Sequence, residues 1–144
     1  MLLATTTGDF SPFTSDHKER IRLLCEAGFR HIDLSLYTVC EGDPLFGDSW
    51  QEAAEDLLAY AASLGADFVQ CHAPGSFNPF EQDAEKRERL INATKRSLEV
   101  CSLLGIKNNV LHTGWKQGIT REDCFKENLS AFCRRFFNLK KLGV

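Results

Sequence analysis

One segment of this chain recurs three times and begins a fourth time near its end. The first copy is LLCEAGFRHIDLSLY, with its glycine at Gly28. The second is AYAASLGADFVQCHAP, with Gly65, and the third is EVCSLLGIKNNVLHTGW, with Gly105. NLKKLGV starts a fourth at Gly143. The glycines lie 37, 40 and 38 residues apart, and a steady period of that length marks one supersecondary unit repeated. Each copy reads as a helix, a glycine stop, a short buried strand and a loop. Glycine suits the left-handed residue just past a helix end. The runs that follow, 31–36, 67–73 and 108–113, are short and apolar, as strands covered on both faces are. Residues 1–7 have the same length and β-branched content and make the expected first strand.

Helix starts are signalled between these runs. Ser49 with Glu52 forms a capping box. Asn78-Pro79 before Glu81 offers a cap, a first-turn proline and an acid near the positive end of the dipole. Thr120 with Asp123 is a weaker version of the first. Over 86–104, Leu90, Ala93, Leu98, Cys101 and Leu104 can share one helical face. Trp50 is expected at the helix–sheet interface, and His17 in an exposed, charged helix start.

The chain has 144 residues, 43% of them hydrophobic, which suits one domain with a sizeable core. A net charge of −3, with acids and bases interleaved, speaks against a nucleic-acid partner. No apolar run approaches a membrane span and no signal peptide opens the chain, so a cytoplasmic protein is expected. The six cysteines, at 25, 40, 71, 101, 124 and 133, contain no Cys-x-x-Cys pair. They read mainly as reduced core residues.

Parallel βα units allow an open doubly wound sheet or a closed (β/α)8 barrel. The first loop, TTTGDFSPFTSD, carries no Gly-x-Gly-x-x-Gly and no Walker pattern, which removes the main support for a nucleotide fold. The long loops after each strand (36–49, 73–80, 113–119) fit a barrel, whose active site is built from such loops. His72 and His112 both stand where a strand gives way to a loop, on that catalytic face. One such histidine could merely tie down its loop; two at equivalent points of a repeat favour function, as metal ligands or as hydrogen-bond partners of a sugar. Asp33, near the end of the second strand, joins the candidate pocket, with a loop-capping role as its equal alternative. Trp115 could cover the apolar face of a sugar, whereas Phe77 and Phe80 read as packing. Cys71 points away from His72 by strand alternation and belongs under a helix. His31 starts its strand, at the stability end of a barrel.

GFRHIDLSLY, LLAYAASLGADFVQCHAP and LEVCSLLGIKNNVLHTGW together resemble the sugar phosphate isomerase/epimerase family. Those proteins belong to the xylose-isomerase-like TIM barrels, which also include family 2 apurinic endonucleases. His72-Ala73-Pro74 and His112-Thr113-Gly114 match the ends of that family's third and fourth strands. The resemblance implies the N-terminal half of a TIM barrel, about four βα units in residues 1–144, cut before a fifth strand. It also implies a sugar substrate, a divalent metal (Mn, Mg, Co or Zn) and proton transfer next to a carbonyl through two carboxylates. Those carboxylates come from later strands, so the chain alone is expected to be incomplete for catalysis. In the endonuclease branch the matching histidines hold zinc; in many epimerases they line the substrate pocket. The alternatives are therefore a zinc nuclease or a non-catalytic half-barrel.

Half a barrel exposes two strand edges and inward apolar side chains. Phe125, Phe132, Phe136 and Leu139 would add apolar surface on the last helix, which favours self-association. Sedimentation of residues 1–144 is expected to show dimers or larger species; a stable monomer at about 10–50 µM, within the micromolar range where such surfaces associate, would contradict this.

Overall fold

The computed structural model describes residues 3–38, 42–75 and 78–136; side chains are described up to Cys133. Its elements alternate along the chain. They are β1 (Ala4–Thr6), α1 (His17–Glu26), β2 (His31–Ser35), α2 (Trp50–Ser63), β3 (Asp67–His72), α3 (Ala84–Leu103), β4 (Asn109–Val110) and α4 (Arg121–Phe136). Short 3-10 turns follow β1 at Thr7–Phe10 and precede α2 at Pro44–Phe46. The sheet order is β1-β2-β3-β4 and every pair is parallel. This is the sequential order expected of one half of a barrel, not the reversal of a doubly wound sheet. Cys40, Phe77, Leu139 and Gly143, and the side chain of Phe136, lie outside the described residues.

The repeat is physically the same in all three described copies. Gly28, Gly65 and Gly105 have φ of 94°, 68° and 69°, the left-handed region that costs a side chain energy. The following amide then reaches back five residues: Phe29 to Leu24, Ala66 to Ala61 and Ile106 to Cys101, at 3.0, 2.9 and 2.8 Å. This closes each helix and sends the chain into the next strand.

Between the sheet and α1–α3 lies a core of Ile21, Leu24, Ile32, Leu34, Leu57, Phe68, Cys71, Val100 and Cys101, all buried. Cys71 meets Cys101 there; that hydrogen bond, with burial, pushes the Cys71 thiol far up. It is an inert core thiol, as its place in the strand suggested. Trp50 packs on this core and carries the Arg96 guanidinium 4.6 Å above its ring. α4 packs on α3 separately, through Ile91, Leu98, Ala131 and Phe132. β1 and β4 form the sheet edges, while Phe13, Phe125 and Leu129 are exposed.

Several local expectations need correction. The strands are shorter than the apolar runs, most of all β4, an edge strand of two residues. Ser49 caps α2 by position but makes no side-chain bond. α3 starts at Asp83, whose carboxylate accepts from the Lys86 amide at 3.0 Å. Asn78 instead closes a turn by accepting from the Phe80 amide. Thr120 and Asp123 do form the reciprocal pair, with Asp123 N donating to Thr120 Oγ1 at 3.0 Å. The buried stripe of α3 runs through Ile91, Thr94, Ser97, Val100 and Cys101; Cys101 and Leu104 of the expected face are buried, while Leu90, Ala93 and Leu98 are only half-buried.

His17 is not exposed. It is 6% exposed, and its Nε2 lies 3.2 Å from Asp43 Oδ2. Asp43 also accepts from the Leu45 amide at 3.0 Å and so ties α1 to the turn before α2. Replacing Asp43 by Ala strands both groups, and an unsatisfied buried donor costs about 1–3 kcal/mol. Asp43→Ala should therefore lower the urea midpoint of unfolding while leaving the far-ultraviolet circular dichroism native.

Candidate functional site

Paired residues on parallel strands share a sheet face, so the register determines what meets at the rim. Thr6 pairs with Asp33, Asp33 with Gln70, Ser35 with His72, and His72 with Val110. Between the Ile32–Phe68 and Asp33–Gln70 pairs the register slips by one residue. Val69 is the extra residue, a β-bulge. In a regular strand of the same six residues, Phe68 and His72 would share a face. With the bulge, Phe68 and Cys71 both face the helices, and Gln70 and His72 turn to the opposite, inner face. Bulges re-aim side chains in this way beside functional sites.

On that inner face His72 Nδ1 donates to Asp33 Oδ2 at 2.7 Å. Gln70 Nε2 donates to the same oxygen at 3.3 Å. A carboxylate only accepts, so the bond gives Nδ1 the proton and leaves Nε2 of a neutral ring as a bare acceptor. Asp33 is 7% exposed, and its other oxygen, Oδ1, is buried without a partner among the described residues. An unmet buried acceptor of this kind awaits a donor.

His112 lies in the loop beyond β4, two residues past its end, and not in the strand. Its ring still stacks on that of His72, with centroids 5.8 Å apart and planes 24° apart. Tyr37 meets the ring of His112 edge-on, with centroids 5.5 Å apart. The sequence therefore brings Asp33, His72 and His112 together at one rim. Trp115 stands apart, 68% exposed, with no hydrogen bond or ring contact among the described residues. His31 pairs with Asp67 at 2.6 Å at the opposite ends of the strands.

Beside His72 opens a cavity of about 270 Å³, walled by Thr6, Gly8, Ser35, Tyr37 and Arg20. Tyr37, Ser35 and Arg20 escaped sequence reading. Tyr37 follows its strand much as Trp115 follows His112, and that position was the available signal. A second hollow of about 400 Å³ lies down the inner face along Thr6, Asp33 and Gln70.

Among the described residues no three His, Cys, Asp or Glu side chains group to hold a metal ion. His72 and His112 could supply two imidazole ligands, fewer than the four a zinc site needs. The carboxylate behind His72 is nonetheless what orients a metal-binding histidine. This half-sheet thus fits part of a metal site.

The loop bearing His112 is held by Asn128 of α4, which is 3% exposed. Its Oδ1 accepts from Gly114 N and its Nδ2 donates to Gly114 O, both at 2.8 Å. Gly114 must be glycine: a Cβ there would stand 2.3 Å from Asn78 Oδ1 and 2.9 Å from Asn78 Cα, in the loop after β3. Asn128→Ala should unlock this loop, lowering stability by about 1–3 kcal/mol and abolishing the ring-current shift of His72 on His112 in proton NMR spectra.

No curated protein is detectably similar to the chain in sequence. Solved structures share its fold. A family 2 AP endonuclease from Brucella melitensis superposes with a TM-score of 0.63 at 16% identity, over 100% of this chain and 53% of that one. The 3-keto-D-glucoside 4-epimerase YcjR from E. coli gives 0.67 at 15% identity, over 100% and 54%. The probable 3-DHS dehydratase AsbF from Bacillus anthracis, involved in petrobactin synthesis, gives 0.65 at 12% identity, over 98% and 49%. The chain spans about half the length of the solved structures it matches, and its sheet corresponds to the N-terminal half of their barrel fold. The model of the xylose isomerase-like TIM barrel family matches residues 21–137, and the chain belongs to that family.

Proposed function

We propose that this chain carries the early-strand half of the substrate site of a sugar or sugar-phosphate isomerase or epimerase. The observation that carries the reading is the Asp33–His72 bond, which leaves His72 Nε2 bare beside the stacked ring of His112. A bare imidazole nitrogen accepts a hydroxyl proton, and the buried Asp33 carboxylate behind it fixes the ring. The hydroxyls of Thr6, Ser35 and Tyr37 line the adjoining wall. A polyol is matched by such a set: several short-range acceptors and donors around one apolar ring face. His72 and His112 bind and orient; among the described residues no pair of carboxylates stands where it could shuttle a proton across a sugar carbon. A divalent ion bound by His72 and His112 would polarise substrate oxygens, its other ligands coming from outside this half-sheet. The 3-keto-D-glucoside 4-epimerase of the same fold supports a sugar-directed reading.

A nuclease is the second reading, supported by the endonuclease of like fold. The net charge of −3 weighs against it, because DNA affinity depends on cationic contacts to phosphates.

Calorimetric titration of Mn²⁺ and of D-fructose into the protein should give heats that are lost in the His72→Ala, His112→Ala double variant. Unchanged isotherms in the variant would contradict the site. Salt-sensitive binding of a duplex containing an abasic site, without any response to the sugar, would favour the nuclease.

A further inference from the structure

We propose that the cavity at the C-terminal ends of β1 and β2 is a subsite for an oxyanion on the substrate, a phosphate or a carboxylate, and that Arg20 binds it. The inference rests on the sugar-binding reading above and names the group that this side of the rim accepts.

Arg20 lies on α1 and is only 4% exposed. Its Nε donates to the Thr14 carbonyl at 2.7 Å, which anchors the side chain without neutralising it. Among the described residues it forms no ion pair, whereas the more exposed Arg22, Arg89 and Arg96 each have a glutamate partner. Arg30, Arg87 and Arg121 also form no ion pair among the described residues, but none of them is buried, so Arg20 is the deeply buried guanidinium left without a carboxylate. A guanidinium stays charged at any physiological pH. Burying a charge without a counter-charge is costly unless an anion shares its site.

The surroundings suit such an anion. The cavity holds about 270 Å³, room for a phosphate with several waters at about 30 Å³ each. Its lining contains no acidic residue. Thr6, Ser11 and Ser35 line the same cavity as Arg20, and Gly8 keeps the backbone low: a Cβ there would come within 3.1 Å of Ser35 Oγ and 3.2 Å of Thr6 Oγ1. His72 borders the same cavity. An oxyanion held by Arg20 would therefore place the attached carbon chain next to His72 and His112. Arginine also presents paired donors to phosphate or carboxylate oxygens, which gives orientation as well as attraction.

The test compares D-fructose, D-fructose 6-phosphate, D-gluconate and inorganic phosphate at constant ionic strength, by calorimetry and thermal shift on the whole chain. At least one anionic sugar should bind tenfold or more tightly than fructose, and the gluconate arm tells carboxylate from phosphate. Arg20→Gln should remove that preference and keep the affinity for fructose. Because Arg20 also anchors Thr14, Ser11→Asp provides a second route. Ser11 is an exposed residue of the cavity wall, and a carboxylate there should exclude the anion without unfolding the chain. Equal affinities for neutral and anionic sugars, or a preference that survives both variants, would overturn the proposal. Stabilisation by inorganic phosphate that depends on Arg20, with no response to any sugar, would support the oxyanion subsite and sink the sugar reading.

Discussion

The register of β3 against β2 slips by one residue at Val69, and the whole inner rim depends on that slip. A regular strand would put Phe68, Gln70 and His72 on one face and Cys71 on the other. The core needs both Phe68 and Cys71, each less than a tenth exposed, against α2 and α3. With Val69 present between Phe68 and Gln70, only a bulge lets β3 satisfy the core twice and still turn its last side chain inward. The hydrophobic requirement of the helix layer and the aim of His72 are thus one constraint. Forcing the same six residues into a regular register would trade a buried apolar side chain for a misdirected imidazole.

The polar chain follows from that turn. His72 meets Asp33 because the slip puts Gln70, and not Val69, opposite Asp33, with His72 two places on beside Ser35. Asp33 sits low on the inner face, where few donors compete, so the imidazole takes one oxygen and the other remains unmet. His112 comes from a different mechanism. It lies beyond its strand, and its position is set by loop packing: Asn128 clamps Gly114 from α4, and Asn78 with Pro79 closes on Gly114 from the loop after β3. One histidine is thus placed by sheet register and the other by a helix side chain. The Arg20 cavity borders His72 and Tyr37 and is walled by Thr6 of β1, Ser35 of β2 and Arg20 of α1.

Much of this was legible in the sequence. The three glycines are each forced by a left-handed backbone at a helix end, so their period reports the βα unit directly. His72 and His112 stand out because they occupy matching points of that unit. Other features were hidden for physical reasons. A bulge leaves no mark in a run such as Asp67-Phe68-Val69-Gln70-Cys71-His72, where either alternation has an apolar face. Asp43 and Asn128 act on partners 26 and 14 residues away, and such pairings exist only once helices are packed. Arg20 looks like one more charge in a charged helix start, as His17 does; burial alone distinguishes them. Capping was legible where the local pair closes on itself, as in Thr120 and Asp123, and misleading where a proline turn intervened, as at Asn78.

The account turns on His72 being aimed inward and fixed by Asp33, and the tautomer of its ring reports this directly. Long-range proton–nitrogen correlation spectra of histidine-labelled protein, above the pH at which the imidazole loses its charge, distinguish the two nitrogens. The account predicts a neutral His72 with its proton on Nδ1 and a bare Nε2, reverting to the mixture of an unrestrained histidine in Asp33→Ala. A proton on Nε2, or a spectrum of His72 unchanged by Asp33→Ala, would contradict it.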